Sequence, residues 1–212
     1  MTGPSSSRKV HPPNESGDPA ELLRLIRFSH IFASAVREIL ELKIIQEASP
    51  LPLSISQFHI LKVISLNGQH QLGELADFLG VSPPATTKSI DKLEGLGLVL
   101  RGASAEDRRV TLLSVSPAGR QLVDKYEAIK AARLAPVLAK FKNEELQQFA
   151  SLLQRFAVSL HQQEESRREF CLRCDAYIET NCPVGRVRGG CPYQMSRGGR
   201  TRNEATVARG DL

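Results

Sequence analysis

The chain has 212 residues, of which 41% are hydrophobic and 24% charged, and its formal net charge at pH 7 is +5. This length and apolar share suffice for one packed domain with appendages, and no run approaches the about eighteen apolar residues of a membrane span, which excludes a transmembrane protein. The basic balance favours a polyanionic partner, although charge alone is weak evidence.

Residues 1–18 are polar and contain several prolines and serines. They lack the apolar core of a secretory signal, so we predict a disordered N-terminal arm. With neither a signal nor a membrane segment, the expected location is the cytoplasm.

Three long helices are predicted outside the centre of the chain. Apolar residues recur at intervals of three and four from Pro19 to about Ala48, from Pro117 to about Leu138 and from Asn143 to about Gln163. These helices carry more apolar surface than a small domain can cover, so we expect a symmetric homodimer. The alternative is a monomer whose first helix folds over its own core.

Two short helices are predicted in the centre. The first covers Gln71 to Gly80, and the second begins at Ser82, whose hydroxyl can cap the helix, with Pro83 in the first helical position. At 100° per residue, Thr86, Ile90 and Leu93 share one face of the second helix, and Pro84, Lys88, Asp91 and Lys92 share the other. Two short helices joined by a tight turn are typical of a helix-turn-helix, whose second helix can enter the major groove of DNA.

A hairpin is predicted directly after this pair. Gly97 ends the second helix, and Leu98 to Leu100 and Val110 to Val115 can pair around the polar segment GASAEDR. Arg108 and Arg109 then lie at or near the tip, where an arginine suits the negative potential of a narrow minor groove.

These segments together resemble the MarR family of winged helix-turn-helix regulators. The resemblance rests on LSISQFHILKVIS, SPPATTKSIDKLEGLGLV and DRRVTLLSVSPAG and covers roughly residues 19–165. It implies a mainly α fold with a small β-wing, a DNA-reading part at about residues 53–115, and a helical dimerisation domain built from the N- and C-terminal helices. It also implies that Asp107 orients Arg109, which enters the minor groove.

The resemblance implies a DNA-binding transcriptional regulator, with repression more common than activation. A twofold dimer would bind double-stranded DNA at an inverted repeat with half-sites about 10 bp apart. We expect Thr87 and Lys88 to face base edges and Ser82, Lys92 and Arg108 to face phosphates. Relatives also bind small-molecule effectors, for which Arg37 or His59 is a candidate. Lys88 stands where arginine is frequent in the family, so the operator sequence does not follow.

All four cysteines lie in one short segment, within residues 166–195. Cys171, Cys174, Cys182 and Cys191 have the spacing C-x2-C-x7-C-x8-C, which predicts a single metal-binding module. Four thiolates can hold zinc or a 4Fe-4S iron–sulfur cluster, whereas disulfides are disfavoured in a reducing compartment. The Cys-Pro steps at Cys182 and Cys191 favour the cluster by a narrow margin.

The two metals differ in their consequences. Zinc would be a structural clip, whereas a cluster could report oxygen, redox state or iron supply to the adjacent dimerisation helix. A dithiol redox enzyme is a remote alternative, since the Cys-x2-Cys pair lacks the βαβ context of thioredoxin-like proteins, and we expect no enzyme activity. Residues 196–212 are rich in glycine and arginine and predict a disordered basic tail.

Overall fold

The computed structural model describes residues 18–66, 69–79, 82–104, 107 and 109–163. Contacts divide the chain into two compact units, with the boundary after Lys43. In chain order the elements are α1 (Pro19–Ala35), a π-helical segment (Val36–Leu42), α2 (Lys43–Ala48), α3 (Ile55–Ser65), β1 (Gln69–Gln71), α4 (Leu72–Leu79), α5 (Pro83–Gly95), β2 (Val99–Ala103), β3 (Thr111–Val115), α6 (Pro117–Leu138) and α7 (Asn143–Gln162). The fold is mainly α with a small sheet, as predicted.

The first unit is built from α1 and the π-helical segment. α1 begins where the Asp18 carboxylate accepts a hydrogen bond of 3.0 Å from the backbone N–H of Ala20, with Pro19 in the first helical position. The backbone N–H of Lys43 donates to Glu38, five residues earlier, which is the wider π pattern. A regular helix was predicted through this stretch, because apolar spacing of three and four does not reveal one wider turn.

The second unit contains the core. Its three strands form an antiparallel sheet in the order β1-β3-β2, with Val99 opposite Val115 and Arg101 opposite Leu113. Helices α3, α4, α5 and α6 supply most of the remaining buried side chains. The largest fully buried residues are Phe58, Phe78, Ile44, Ile45, Leu61, Ile64, Ile90, Leu93, Leu113, Val63, Val99 and Thr86.

The sheet differs from the predicted two-stranded hairpin. Gln71 ends β1 instead of starting a helix, and β1 pairs with β3 through Gln69 opposite Ser114 and His70 opposite Leu113. The sequence QHQ has no strand pattern of its own, so this strand depends on its partner. β2 also extends to Ala103, beyond the predicted Leu100, because it pairs residue for residue with β3.

A charged cluster joins α3 to α6. The Lys62 ammonium, whose side chain is only 8% exposed, lies 2.6 Å from one oxygen of Glu127, and Lys130 lies 2.6 Å from the other. Both ammonium groups also stand over the Tyr126 ring, at 5.4 and 5.3 Å from its centroid. Burial alone would raise the pKa of Glu127, but the hydrogen bonds and charges of Lys130 and Lys62 hold that pKa below its ordinary value.

The start of α6 is fastened to the turn that precedes β2. The Ser116 hydroxyl donates to the backbone oxygen of Gly97 at 2.6 Å and accepts from the N–H of Gly119 at 2.9 Å. A Cβ at Gly119 would lie 2.2 Å from the backbone oxygen of Leu98, so only glycine allows this approach.

No helix in the described part of the chain is long and apolar enough to cross a membrane.

Candidate nucleic-acid interface

Helix α5 is divided into a buried and an exposed face, as predicted. Thr86, Ile90 and Leu93 are at most 1% exposed and pack into the core. On the opposite face Pro84, Lys88, Asp91 and Lys92 are exposed. The helix therefore offers two ammonium groups outward from a backbone that the core holds in place.

The N-terminus of α5 differs from the prediction in one respect. Ser82 is the N-cap residue and Pro83 follows in the first helical position, but the Ser82 hydroxyl makes no capping hydrogen bond. Pro84 stands in the second helical position and lacks a backbone N–H, which removes one of the two donors, at the second and third positions, that a capping oxygen ordinarily reaches. The hydroxyl of Ser82 therefore does not stabilise the helix through a cap.

Two hydroxyl groups outside the buried face of α5 donate to backbone oxygens of the helix. Thr87 donates to the backbone oxygen of Pro83 at 2.9 Å, and Ser89 donates to that of Ala85 at 3.2 Å. These bonds hold both side chains in defined rotamers beside the exposed Lys88.

The turn after α5 fixes the start of the wing, which is the hairpin formed by β2 and β3. Gly97 has a positive φ of 70°, its N–H bonds the oxygen of Glu94 at 2.8 Å, and the Leu98 N–H bonds the oxygen of Leu93 at 2.9 Å. These two bonds with a left-handed glycine form a Schellman motif, which closes the helix and turns the chain into β2. The predicted role of Gly97 is confirmed.

The tip of the wing is held by backbone and side-chain bonds. The Asp107 carboxylate accepts from the backbone N–H of Arg109 at 2.9 Å, and the Asp107 carbonyl accepts from the N–H of Val110 at 2.9 Å. Asp107 thus fixes the backbone of Arg109, and Arg109 is exposed to solvent. Arg108 lies outside the described residues, so its predicted phosphate contact stays a prediction.

One residue of this region was not predicted from the sequence. Arg101, on β2, places its Nη2 atom 2.5 Å from Asp91 Oδ1 and its Nε atom 3.3 Å from Glu94 Oε2, both on α5. Its role depends on the sheet register and on the packing of β2 against α5, and neither appears in a linear pattern.

The remaining predicted sites lie elsewhere. Cys171, Cys174, Cys182 and Cys191 fall outside the described residues, and the described ranges contain no group of three or more histidines, cysteines, aspartates or glutamates that could hold a metal. The metal site therefore stays a prediction. Of the two effector candidates, His59 is 2% exposed on α3, and Arg37 is exposed on the π-helical segment.

Comparison with solved structures gives the same architecture. FabT of Streptococcus pneumoniae, solved in complex with DNA, matches with a TM-score of 0.59 and 22% identity, covering 68% of this chain and 99% of FabT. YusO of Bacillus subtilis matches with a TM-score of 0.54 and 24% identity, covering 66% of this chain and 98% of YusO. A MarR family protein from Bacillus stearothermophilus matches with a TM-score of 0.55 and 21% identity, covering 68% and 99%.

The comparison with family models concerns the centre of the chain. Residues 53–111 match the model of the MarR family, and this range contains α3, α4, α5, β1 and β2. Residues 53–111 are thus similar to the MarR family, and the resemblance first seen in the sequence is confirmed over this range.

Proposed function

We propose that this chain is a transcriptional regulator that binds double-stranded DNA and acts as a repressor. The observation that carries the proposal is the exposed face of α5, with Lys88 and Lys92, beside a wing whose tip presents Arg109. A helix held by its apolar face and a thin hairpin next to it are the two parts that a winged helix-turn-helix inserts into adjacent grooves. FabT, which shares the fold, was solved in complex with DNA, and this supports DNA binding as the function.

The residues divide between two kinds of contact. Lys88 and Thr87 lie where α5 would meet base edges, which can specify sequence, whereas Lys92 and the N-terminus at Ser82 would meet phosphates. Arg109 would enter the minor groove, with its backbone fixed by Asp107.

A second copy of the chain is part of the proposal. Large apolar side chains are exposed on both terminal helices, and such extended apolar faces mark surfaces that another molecule covers. They are Leu22, Leu23, Leu25, Ile26, Phe28, Ile31 and Phe32 on α1, and Phe149, Leu152, Leu153, Phe156 and Leu160 on α7. A symmetric homodimer would bind an inverted repeat with half-sites about 10 bp apart.

In vitro selection from a pool of random duplexes tests the proposal. The full-length chain should enrich an inverted repeat, and Arg109→Ala should weaken binding to that duplex by about 1–3 kcal/mol, as expected for a lost groove contact. Arg133→Ala is the matched control, because Arg133 lies on α6 about 24 Å along the helix from its N-terminus and pairs with Glu47. An equal dissociation constant for Arg109→Ala and the unmodified chain at fixed salt would contradict the wing assignment.

The proposal includes a metal centre at the four cysteines, with a 4Fe-4S cluster slightly favoured over zinc. The support is their C-x2-C-x7-C-x8-C spacing and the absence of cysteine from the first 170 residues. Cys171 follows the last residue of α7, Gln162, by nine positions. Gain or loss of a cluster there would act next to a proposed dimerisation helix, which links the centre to DNA binding.

Anaerobic purification with iron, sulfide and zinc analysis decides the identity of the centre. We expect a brown protein with broad visible absorption and matching iron and sulfide. A colourless protein with stoichiometric zinc would instead make the module a structural clip. A variant with all four cysteines changed to alanine that binds the selected duplex identically with and without oxygen would contradict the sensing role.

A further inference from the structure

One guanidinium group joins α5 to β2. Arg101 on β2 binds Asp91 at 2.5 Å and Glu94 at 3.3 Å, both on α5. Its side chain is 28% exposed, against 55% for Asp91 and 42% for Glu94, so Arg101 is the most enclosed of the three.

The backbone places these groups together. Asp91 and Glu94 are three residues apart and therefore lie on the same side of α5. Successive side chains of a strand alternate between its faces, so Arg101 shares a face with Val99, which is 1% exposed, whereas Leu100 on the other face is 51% exposed. Arg101 thus extends from the core-facing side of the wing toward the helix.

The charges explain why an arginine is needed. Two carboxylates on a helix that approaches phosphates are repulsive, and Glu94 also lies near the C-terminal, negative end of the helix dipole. A planar guanidinium can bind two carboxylates at once in a fixed geometry, which a lysine ammonium does less well. Arg101 therefore offsets both charges and links β2 to α5.

We propose that Arg101 is a positioning residue for DNA binding. By holding Asp91 and Glu94, it fixes the wing relative to α5, so that Arg109 and Lys88 reach their two grooves in the same binding event. This inference rests on the proposed function, in which α5 and the wing both contact DNA. Partly exposed ion pairs contribute little to folding stability, so the effect belongs to DNA affinity and not to the fold.

The probe is the duplex enriched by in vitro selection with the unmodified full-length chain, and the measurement is its dissociation constant at fixed salt. Arg101→Gln should weaken binding about tenfold, and Arg101→Lys, which keeps the charge but loses the planar fork, should fall in between. Arg133→Gln, which removes the same charge from the Glu47 pair, should stay within about twofold. Equal affinity of Arg101→Gln and Arg133→Gln would overturn the proposal.

Coupling between the two grooves separates positioning from simple charge. Arg109→Ala should weaken binding roughly tenfold in the unmodified chain but less than about threefold in the Arg101→Gln background, because an unheld wing no longer delivers Arg109. The same loss in both backgrounds would show independent contacts and overturn the proposal. Thermal unfolding of each variant confirms that the fold is retained.

Two further measurements exclude other roles for Arg101. Arg101→Gln should leave the slope of log affinity against log salt unchanged, whereas a slope smaller by about one would make Arg101 a phosphate contact and overturn the proposal. The double variant Asp91→Asn, Glu94→Gln should bind no more tightly than the unmodified chain. Tighter binding would mean that these two carboxylates act only by repelling the DNA, and it would overturn the proposal. If no duplex is enriched at all, the proposed function fails before the Arg101 variants are compared.

Discussion

The winged region, residues 53–115, buries its apolar residues, whereas the terminal helices α1 and α7 expose theirs. In the winged region, Phe58, Ile90, Leu93 and Leu113 are completely buried. On α7, Leu152 is 60% exposed, and no side chain of α1 is buried. The winged region therefore carries its own core, whereas the terminal helices present apolar surface that the described residues of one chain leave uncovered.

The difference shows which part of the sequence specifies structure within one chain and which part specifies association. Burial of a leucine side chain contributes about 1.5–3 kcal/mol, so covering the exposed apolar residues of α1 and α7 would release a large free energy. Under the proposed dimer, that free energy stabilises the complex of two chains and not the single chain.

The largest expected effect compares one leucine from each region. Leu93→Ala should lower the free energy of unfolding by about 2–5 kcal/mol, because it opens a cavity in a closed core. Leu152→Ala should cost less than about 1 kcal/mol of that free energy and should instead raise the dissociation constant of the proposed dimer. Urea unfolding at protein concentrations below the dissociation constant of the proposed dimer measures the first quantity, and sedimentation measures the second. An equal loss of unfolding free energy in both variants would contradict the division into two regions.

The next effect concerns the close contact at the start of α6. Gly119→Ala should destabilise the fold by about 1–3 kcal/mol, because its Cβ would overlap the backbone oxygen of Leu98 and a methyl group of Val115. Gly73→Ala is the matched control, since nothing lies within 4 Å of the added Cβ, and it should be neutral or stabilise α4 by up to about 1 kcal/mol. Thermal unfolding compares the two. If Gly119→Ala is as stable as Gly73→Ala, the backbones are not in close contact.

A smaller, pH-dependent effect is expected at Glu127 on α6, which pairs with Lys62 on α3. Removing one partner of a buried pair costs about 3–5 kcal/mol, but the Glu127 side chain is 41% exposed and screened, so we expect about 1–2 kcal/mol for Glu127→Gln at pH 7. The folded-state pKa of Glu127 is lowered, so its contribution is complete above the ordinary value of 4.5 and is lost as the pH falls through the folded-state value.

Urea unfolding between pH 7 and pH 3 measures this contribution. The stability difference between Glu127→Gln and the unmodified chain should shrink toward acid pH. Asp124→Asn removes an exposed carboxylate from the same helix and is the control for the loss of one charge. A difference that stays constant with pH would contradict the role of the Glu127 charge.

The smallest effect separates two serines that both precede helices. Ser116→Ala should cost about 1 kcal/mol because its hydroxyl caps α6 and binds Gly97. Ser82→Ala should change stability by only a few tenths of a kcal/mol, because the Ser82 hydroxyl makes no cap bond. Thermal unfolding resolves the two variants, and equal losses would mean that the Ser82 hydroxyl does cap α5.

The sequence predicted those features that depend on local periodicity and capping. The bounds of α6, the buried face of α5 and the left-handed Gly97 followed from spacing and from the conformational freedom of glycine. Strand β1 did not follow, because Gln69–Gln71 is a strand only through its pairing with β3. The Arg101 contacts were missed for the same reason, since they join residues that only the folded chain brings together.

The bonds that Thr87 and Ser89 donate within α5 have a chemical consequence for recognition. Each hydroxyl has one proton, and here that proton is directed to a carbonyl oxygen of the helix. The lone pairs that remain can only accept hydrogen bonds, which suits the exocyclic amino groups of adenine and cytosine and not the carbonyl oxygen of guanine. Lys88, which can only donate, has the opposite preference, so under the proposed function neighbouring positions on one helix would favour different bases.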